Sequence, residues 1–188
     1  MDDAQKPPFN PLHLGDEAQV TSPEIPLKSF SDRDFRDAMG RFPTGVCVVN
    51  ANNAYGEAIG MTANSFSSVS LTPPLVLVCL GKESPRSQAI INAGKFNISI
   101  LTADQQDISD HFAQPGQGLA ADGMVVTGLN ASPYVPSSGA VIECDVHAQY
   151  PGGDHVILVG RVTHIVTDLS ATPLIYFNGS YKKLDGEG

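Results

Sequence analysis

The chain has 188 residues, 41% hydrophobic and 16% charged, which supplies one sizeable core and excludes a highly charged disordered polymer. A formal net charge of -9 excludes a broad nucleic-acid or anionic-membrane surface, because both need basic patches. An anionic cofactor remains compatible, since backbone N–H groups and one or two cations can hold a phosphate locally.

Residues 1 to about 28 are proline-rich and without periodicity, which predicts an extended or disordered arm ahead of one domain over 29–188. The arm has no charged-then-apolar leader pattern, and no apolar stretch approaches the roughly 20 residues that span a bilayer. Ser31 then reads as a helix N-cap with Asp34 at the third helical position. Phe35, Ala38, Met39 and Phe42 follow at helical spacing and predict one buried face, which Pro43 ends.

Four β-branched or apolar runs predict strands over Gly45 to Asn50, Ala58 to Asn64, Phe66 to Ser70 and Leu75 to Leu80. Ser84 and Pro85 are placed to start a second helix that Gly94 stops. Phe96 to Leu101 is a further strand, and Thr102 with Gln105 frames a third helix to about Phe112. The small and glycine-rich stretch 114–139 predicts no element. Ala140 to Tyr150 and His155 to Asp168 flank Pro151-Gly152-Gly153-Asp154 as a hairpin, and Leu174 to Phe177 closes the chain. Many strands and few short helices predict a mainly β (α+β) fold, an antiparallel barrel with peripheral helices, rather than a doubly wound parallel sheet.

Cys47, Cys79 and Cys144 are odd in number, widely spaced and set in apolar runs, which predicts free thiols and a cytoplasmic protein. Of the five histidines, His111, His147, His155 and His164 show no metal-ligand spacing, and Walker, GxSxG and GxGxxG motifs are absent from the sequence. Any nicotinamide chemistry here therefore uses no Rossmann fingerprint.

Three constellations stand out. The stretch Gly60 to Pro74 concentrates hydroxyl and amide side chains, which suit a planar heterocycle with several donors and acceptors, or simply a polar edge strand facing water. Gly81 to Ser87 brings Ser84, Arg86, Ser87 and free backbone amides to a helix start: a phosphate cradle, or ordinary capping. His155 leaves a glycine turn, where it reaches a ligand or merely faces solvent.

In order along the chain, Phe35 to Val46, Gly60 to Leu80, Phe96 to Leu101, His111-Phe112-Ala113, Gly153-Asp154-His155 with Gly160-Arg161-Val162, and Leu174 to Phe177 resemble the short-chain flavin reductase family. That family supplies reduced flavin to two-component flavin-dependent monooxygenases. The resemblance implies an FMN-binding split β-barrel, a homodimer with flavin at the subunit interface, and hydride transfer from NADH or NADPH to FMN or FAD. It implies that Thr62, Ala63, Asn64, Ser65 and Phe66 surround the flavin ring, with Ser67, Ser68, Val69 and Ser70 beside them. Cys79, Leu80 and Gly81 would lie near the ribityl chain; Ser84, Arg86 and Ser87 would meet the phosphate; Phe112 and Ala113 would line the pocket. His155 would meet the nicotinamide nucleotide, with no protein nucleophile or metal needed. Two alternatives stay open on the same barrel: a flavoprotein with tightly held flavin that reduces another acceptor, and a non-catalytic flavin- or haem-binding protein. The 114–139 stretch departs from the family's usual charged and aromatic pattern, which leaves flavin preference open.

Overall fold

The computed structural model describes residues 30–116 and 118–184; the arm expected over 1–28 lies outside them. In chain order the elements are α1 (Asp32–Met39), β1 (Thr44–Gly45), β2 (Cys47–Asn52), β3 (Ala58–Ala63), β4 (Ser67–Leu71), β5 (Pro74–Gly81), α2 (Pro85–Asn92), β6 (Lys95–Ile100), α3 (Gln106–Ala113), β7 (Val126–Thr127), β8 (Pro133–Tyr134), β9 (Ala140–Gly152), β10 (His155–Thr167), β11 (Ile175–Phe177) and β12 (Ser180–Lys182). Seven strands form one antiparallel sheet in the order β3-β2-β6-β9-β10-β5-β4.

The two edges of that sheet, β3 and β4, are consecutive in sequence. Six gaps of a flat sheet would separate them by roughly 29 Å. The link 64–66 spans at most roughly 14 Å. The sheet must therefore curl until its edges approach, which makes a barrel. Among the described residues no ladder joins β3 to β4, so the barrel is split along that seam. Bulges in the β9–β10 ribbon, between Val159 and Gly160 and between Val162 and His164, add the local bend such curling needs. The expected split β-barrel with peripheral helices is the observed fold.

β5 shows why its sequence makes a half-buried strand. Val76, Val78 and Leu80 point into the core, while Leu75, Leu77 and Cys79 alternate onto the half-buried outer face. β2 is covered on both faces. Val49 and Ala51 join Val78, Phe96, Ile98 and Leu158 inside the barrel. Val48 joins Phe112, Leu101, Val135 and Leu174 in a second cluster outside it. Cys47 and Cys144 are buried and Cys79 is half-buried, all as free thiols.

Two sequence expectations change. The capping box of α1 is present, with Ser31 Oγ accepting from Asp34 N at 3.2 Å and Ser31 N donating to the Asp34 carboxylate at 2.9 Å. Its apolar face, however, is not buried: Phe35, Met39 and Phe42 are 54%, 57% and 75% exposed, and Ala38 is exposed too. The end of the helix is tied to the C-terminal hairpin, where Asn178 N donates to Gly40 O and Arg41 lies over the Phe177 ring. That attachment turns the stripe away from the chain's own core. Periodicity says that a face needs cover, not what covers it.

The featureless 114–139 stretch also has structure. Leu119 bridges Ile59 on the β3 edge, β7 pairs with β8, and the buried Glu143 carboxylate accepts from Leu129 N and Asn130 N at 2.9 and 2.8 Å.

Gly160 is where β10 crosses Phe96, and a Cβ there would stand 2.5 Å from Phe96 Cζ and 2.9 Å from Cys144 Cβ. Gly160→Ala overpacks this crossing and is expected to destabilise the fold by about 1–3 kcal/mol in urea titration. An unchanged midpoint would mean that the ribbon moves aside freely.

Candidate functional site

The chain ends of several elements meet around a cavity of about 320 Å³. The end of β3 and its following residue contribute Met61, Thr62, Ala63 and Asn64; α2 contributes Arg86; α3 contributes Phe112 and Ala113; Val46, Tyr176 and Tyr181 complete the wall.

Each side chain is held there for a local reason. α2 begins where it does because Ser84 caps it, accepting from Ser87 N at 3.4 Å, and Pro85 occupies the first turn. This sets Arg86 at the positive end of the helix dipole. Its Nη1 donates to Phe112 O at 3.0 Å, so one cation ties the start of α2 to the end of α3. Phe112 is fully buried against Gly60, where a Cβ would stand 2.6 Å from the ring. Only glycine lets the ring approach β3 so closely. Thr62 Oγ1 donates to Ser109 O at 2.6 Å, which fixes its rotamer and leaves its oxygen free to accept. The Tyr181 hydroxyl shares a 2.8 Å hydrogen bond with Ser109 Oγ, and its ring meets Tyr176 edge-on at 5.5 Å. Burial pushes the Tyr181 phenol above its ordinary range, so it stays neutral.

The result is a slot with apolar and aromatic walls, amide and hydroxyl groups at one margin, and a cation beside a helix N-terminus. Such a slot fits a planar heterocycle carrying an anionic tail.

Of the residues singled out in the sequence, Thr62, Ala63, Asn64, Arg86, Phe112 and Ala113 come together here. Phe66 lines an adjoining cavity that shares Val46 and Asn64 with the first. Ser65 is turned to β5, donating to Cys79 O and accepting from Cys79 N, both at 3.0 Å. Ser67, Ser68 and Val69 lie exposed on the β4 edge and Ser70 is half-buried, with Ser67 Oγ donating to Ser68 O and Ser70 Oγ accepting from Thr72 N. Leu80 is core, so only its backbone faces outward; Gly81 O accepts from Ser84 N. Ser87 is buried and donates to Met61 Sδ at 3.6 Å.

His155 stands outside the cavity lining. It pairs across the ladder with Gly81, and its Nδ1 lies 2.8 Å from Asp154 Oδ1. The hydrogen bond from His155, then its charge, holds the Asp154 carboxyl below the usual carboxylate range. Lys82 pins the same turn, donating through Nζ to Gly153 O at 2.6 Å and through its backbone N to Asp154 O at 2.9 Å.

The sequence did not mark Met61 or Tyr181 as site residues. Tyr181 sits in β12, a strand too short for periodicity. Asn178-Gly179, at φ 52° and 75°, is nevertheless a type I′ hairpin signal that predicts such a strand.

The chain belongs to the family of flavin reductase like domains, whose family model matches residues 39–185. It is 38% identical to the reductase component of 4-hydroxyphenylacetate 3-monooxygenase from Thermus thermophilus over 151 residues, covering 80% of this chain and 95% of that one. It is 46% identical to a probable flavin reductase of Rhizobium meliloti over 134 residues, covering 71% of this chain but 43% of the relative. It thus spans less than half the length of that relative. Among solved structures, the NADH:FAD oxidoreductase SgcE6 of Streptomyces globisporus superposes with a TM-score of 0.78 at 35% identity, covering 87% of this chain and 100% of that one. No helix among the described residues is long and apolar enough to cross a membrane.

The three thiols differ in environment. Burial pushes Cys47 and Cys144 up to about 12, whereas Cys79 is half-buried on the outer face of β5. A disulfide reagent at pH near 8 should modify Cys79 in the native protein and reach the other two only on unfolding, as read by peptide mass mapping. Rapid modification of Cys47 or Cys144 in the native state would contradict the packing described.

Proposed function

We propose that this chain is an NAD(P)H:flavin oxidoreductase that binds FMN or FAD in the β3–α2–α3 cavity and delivers reduced flavin to a partner flavin-dependent monooxygenase. The observation that carries the proposal is the slot itself, with Arg86 and the start of α2 at one end and Thr62 and Asn64 at its polar margin, in a member of the flavin reductase like family. The relative SgcE6 has been solved with NAD and FAD fragments, which supports the same pair of ligands here.

The redox chemistry would be the cofactors' own, the reduced nicotinamide supplying a hydride from C4 and the flavin ring accepting it at N5. This chain's residues bind, orient and exclude. Phe112 and Tyr176 give the ring an apolar wall, while Thr62 and Asn64 offer it an acceptor and an amide. Arg86 and Ser84, at the N-terminal end of the α2 dipole, hold the phosphate. His155, oriented by Asp154, contacts the nicotinamide nucleotide and carries no obligate proton transfer.

A homodimer accounts for the uncovered apolar face. α1 borders a cavity that also includes Asn64 and Tyr176, so a second copy seated on Phe35, Met39 and Phe42 would extend the flavin slot. Three free thiols suit a reducing cytoplasm.

Purified chain should oxidise NADH or NADPH only when FMN, FAD or riboflavin is added, as followed by nicotinamide absorbance. No flavin-dependent oxidation with any combination would defeat the proposal. His155→Ala should raise KM for the nicotinamide nucleotide more than it lowers kcat; a fall in kcat at unchanged KM would remove His155 from the binding role.

A further inference from the structure

Gly118 lies in the glycine-rich stretch, yet it is buried and fixed on two sides. Its carbonyl accepts from Gly60 N at 2.8 Å, and Ala120 N donates to Ala58 O at 2.9 Å, so this segment runs along the edge of β3 as an added strand. On its other side lies the stem of Arg86. A Cβ on residue 118 would overlap Arg86 Cγ and Cδ and stand 3.3 Å from Nε. The obstructed atoms are the middle of the side chain rather than its far end. The backbone cannot retreat, because β3 holds it. Any side chain at 118 therefore drives the Arg86 stem out of its place and breaks the contact from Nη1 to Phe112 O.

We propose that Gly118 is a positioning residue for phosphorylated flavins: its missing side chain lets the Arg86 stem lie flat under the 118–120 segment, which holds the guanidinium at the cavity wall where a 5′-phosphate is bound. This rests on the flavin proposal above and deepens it, because it names the part of the ligand that residue 118 controls. FMN and FAD carry the phosphate that Arg86 meets; riboflavin has the same ring and no phosphate. Gly118 thereby sets discrimination between the two classes without touching either.

The test is a flavin-fluorescence titration of the full chain with FMN, FAD and riboflavin, using the native protein, Gly118→Ala, Arg86→Ala and the double variant. Gly118→Ala should weaken FMN and FAD roughly 10- to 100-fold, the worth of one charge-assisted contact, and weaken riboflavin far less. Arg86→Ala should do the same, and the double variant should equal Arg86→Ala, because both changes remove one interaction. Equal loss for all three flavins, or additive losses in the double variant, overturns the inference. Where Gly118→Ala alone fails to fold, the double variant decides: without the stem that the added methyl strikes, it should melt and bind like Arg86→Ala, and failure to do so overturns the inference. Absence of flavin binding by the native chain overturns the flavin proposal and this inference together; native binding without phosphate-selective loss overturns this inference alone.

Discussion

The link 64–66 joins strands at opposite edges of a seven-stranded sheet, and most of the structure follows from that constraint. A short covalent tie cannot stretch across a flat sheet, so the sheet closes at the end where the tie sits. Ser65 completes the closure by satisfying both Cys79 N and Cys79 O. Those backbone groups would otherwise lose partners where β5 leaves the seam, at a cost typical of buried unpaired polar groups.

Closure also places the cavity. It brings the end of β3 beside the β5–α2 connection, and α3 then covers the outside of β2 and β3 through Phe112. Two glycines permit the close approaches this needs: Gly60 beneath the Phe112 ring and Gly118 beside the Arg86 stem. The slot is thus built from residues remote in sequence, each held by a contact that does not involve the ligand. Such preorganisation spares binding much of its ordering cost. The surface beside the slot is the one where α1 leaves Phe35, Met39 and Phe42 bare, so the same seam gathers both the candidate cofactor site and an uncovered apolar face.

Much of this was legible in the sequence because its signals are local. Ser31 with Asp34, and Ser84 with Pro85, announce helix starts through side chains that satisfy amides a few residues away. The alternation of β5 and the glycine turn before His155 are equally short-range. The helix start on which the proposed phosphate site rests could be argued from Ser84 to Ser87 alone. What was not legible depends on partners far along the chain. The 128–130 turn is organised by Glu143, and the 118–120 segment by the β3 edge; composition reports only that the stretch is small and glycine-rich. Counting polar groups could not by itself place the serines from 67 to 70, since an edge strand and a ligand margin have one composition; they lie along β4, outside the lining of the slot. Helical spacing in α1 located an apolar face correctly, but the expected burial is not met within the chain.

Flavin is proposed to occupy the slot where β3, α2 and α3 meet. Amide hydrogen exchange of the full chain, with and without saturating FMN, tests it most directly. Slowed exchange at 61–64, 85–87 and 112–113 together is the expected result. Unchanged exchange in those three segments, with protection confined to a distant surface such as the polar hollow around Asp104 and Asp168, would contradict it.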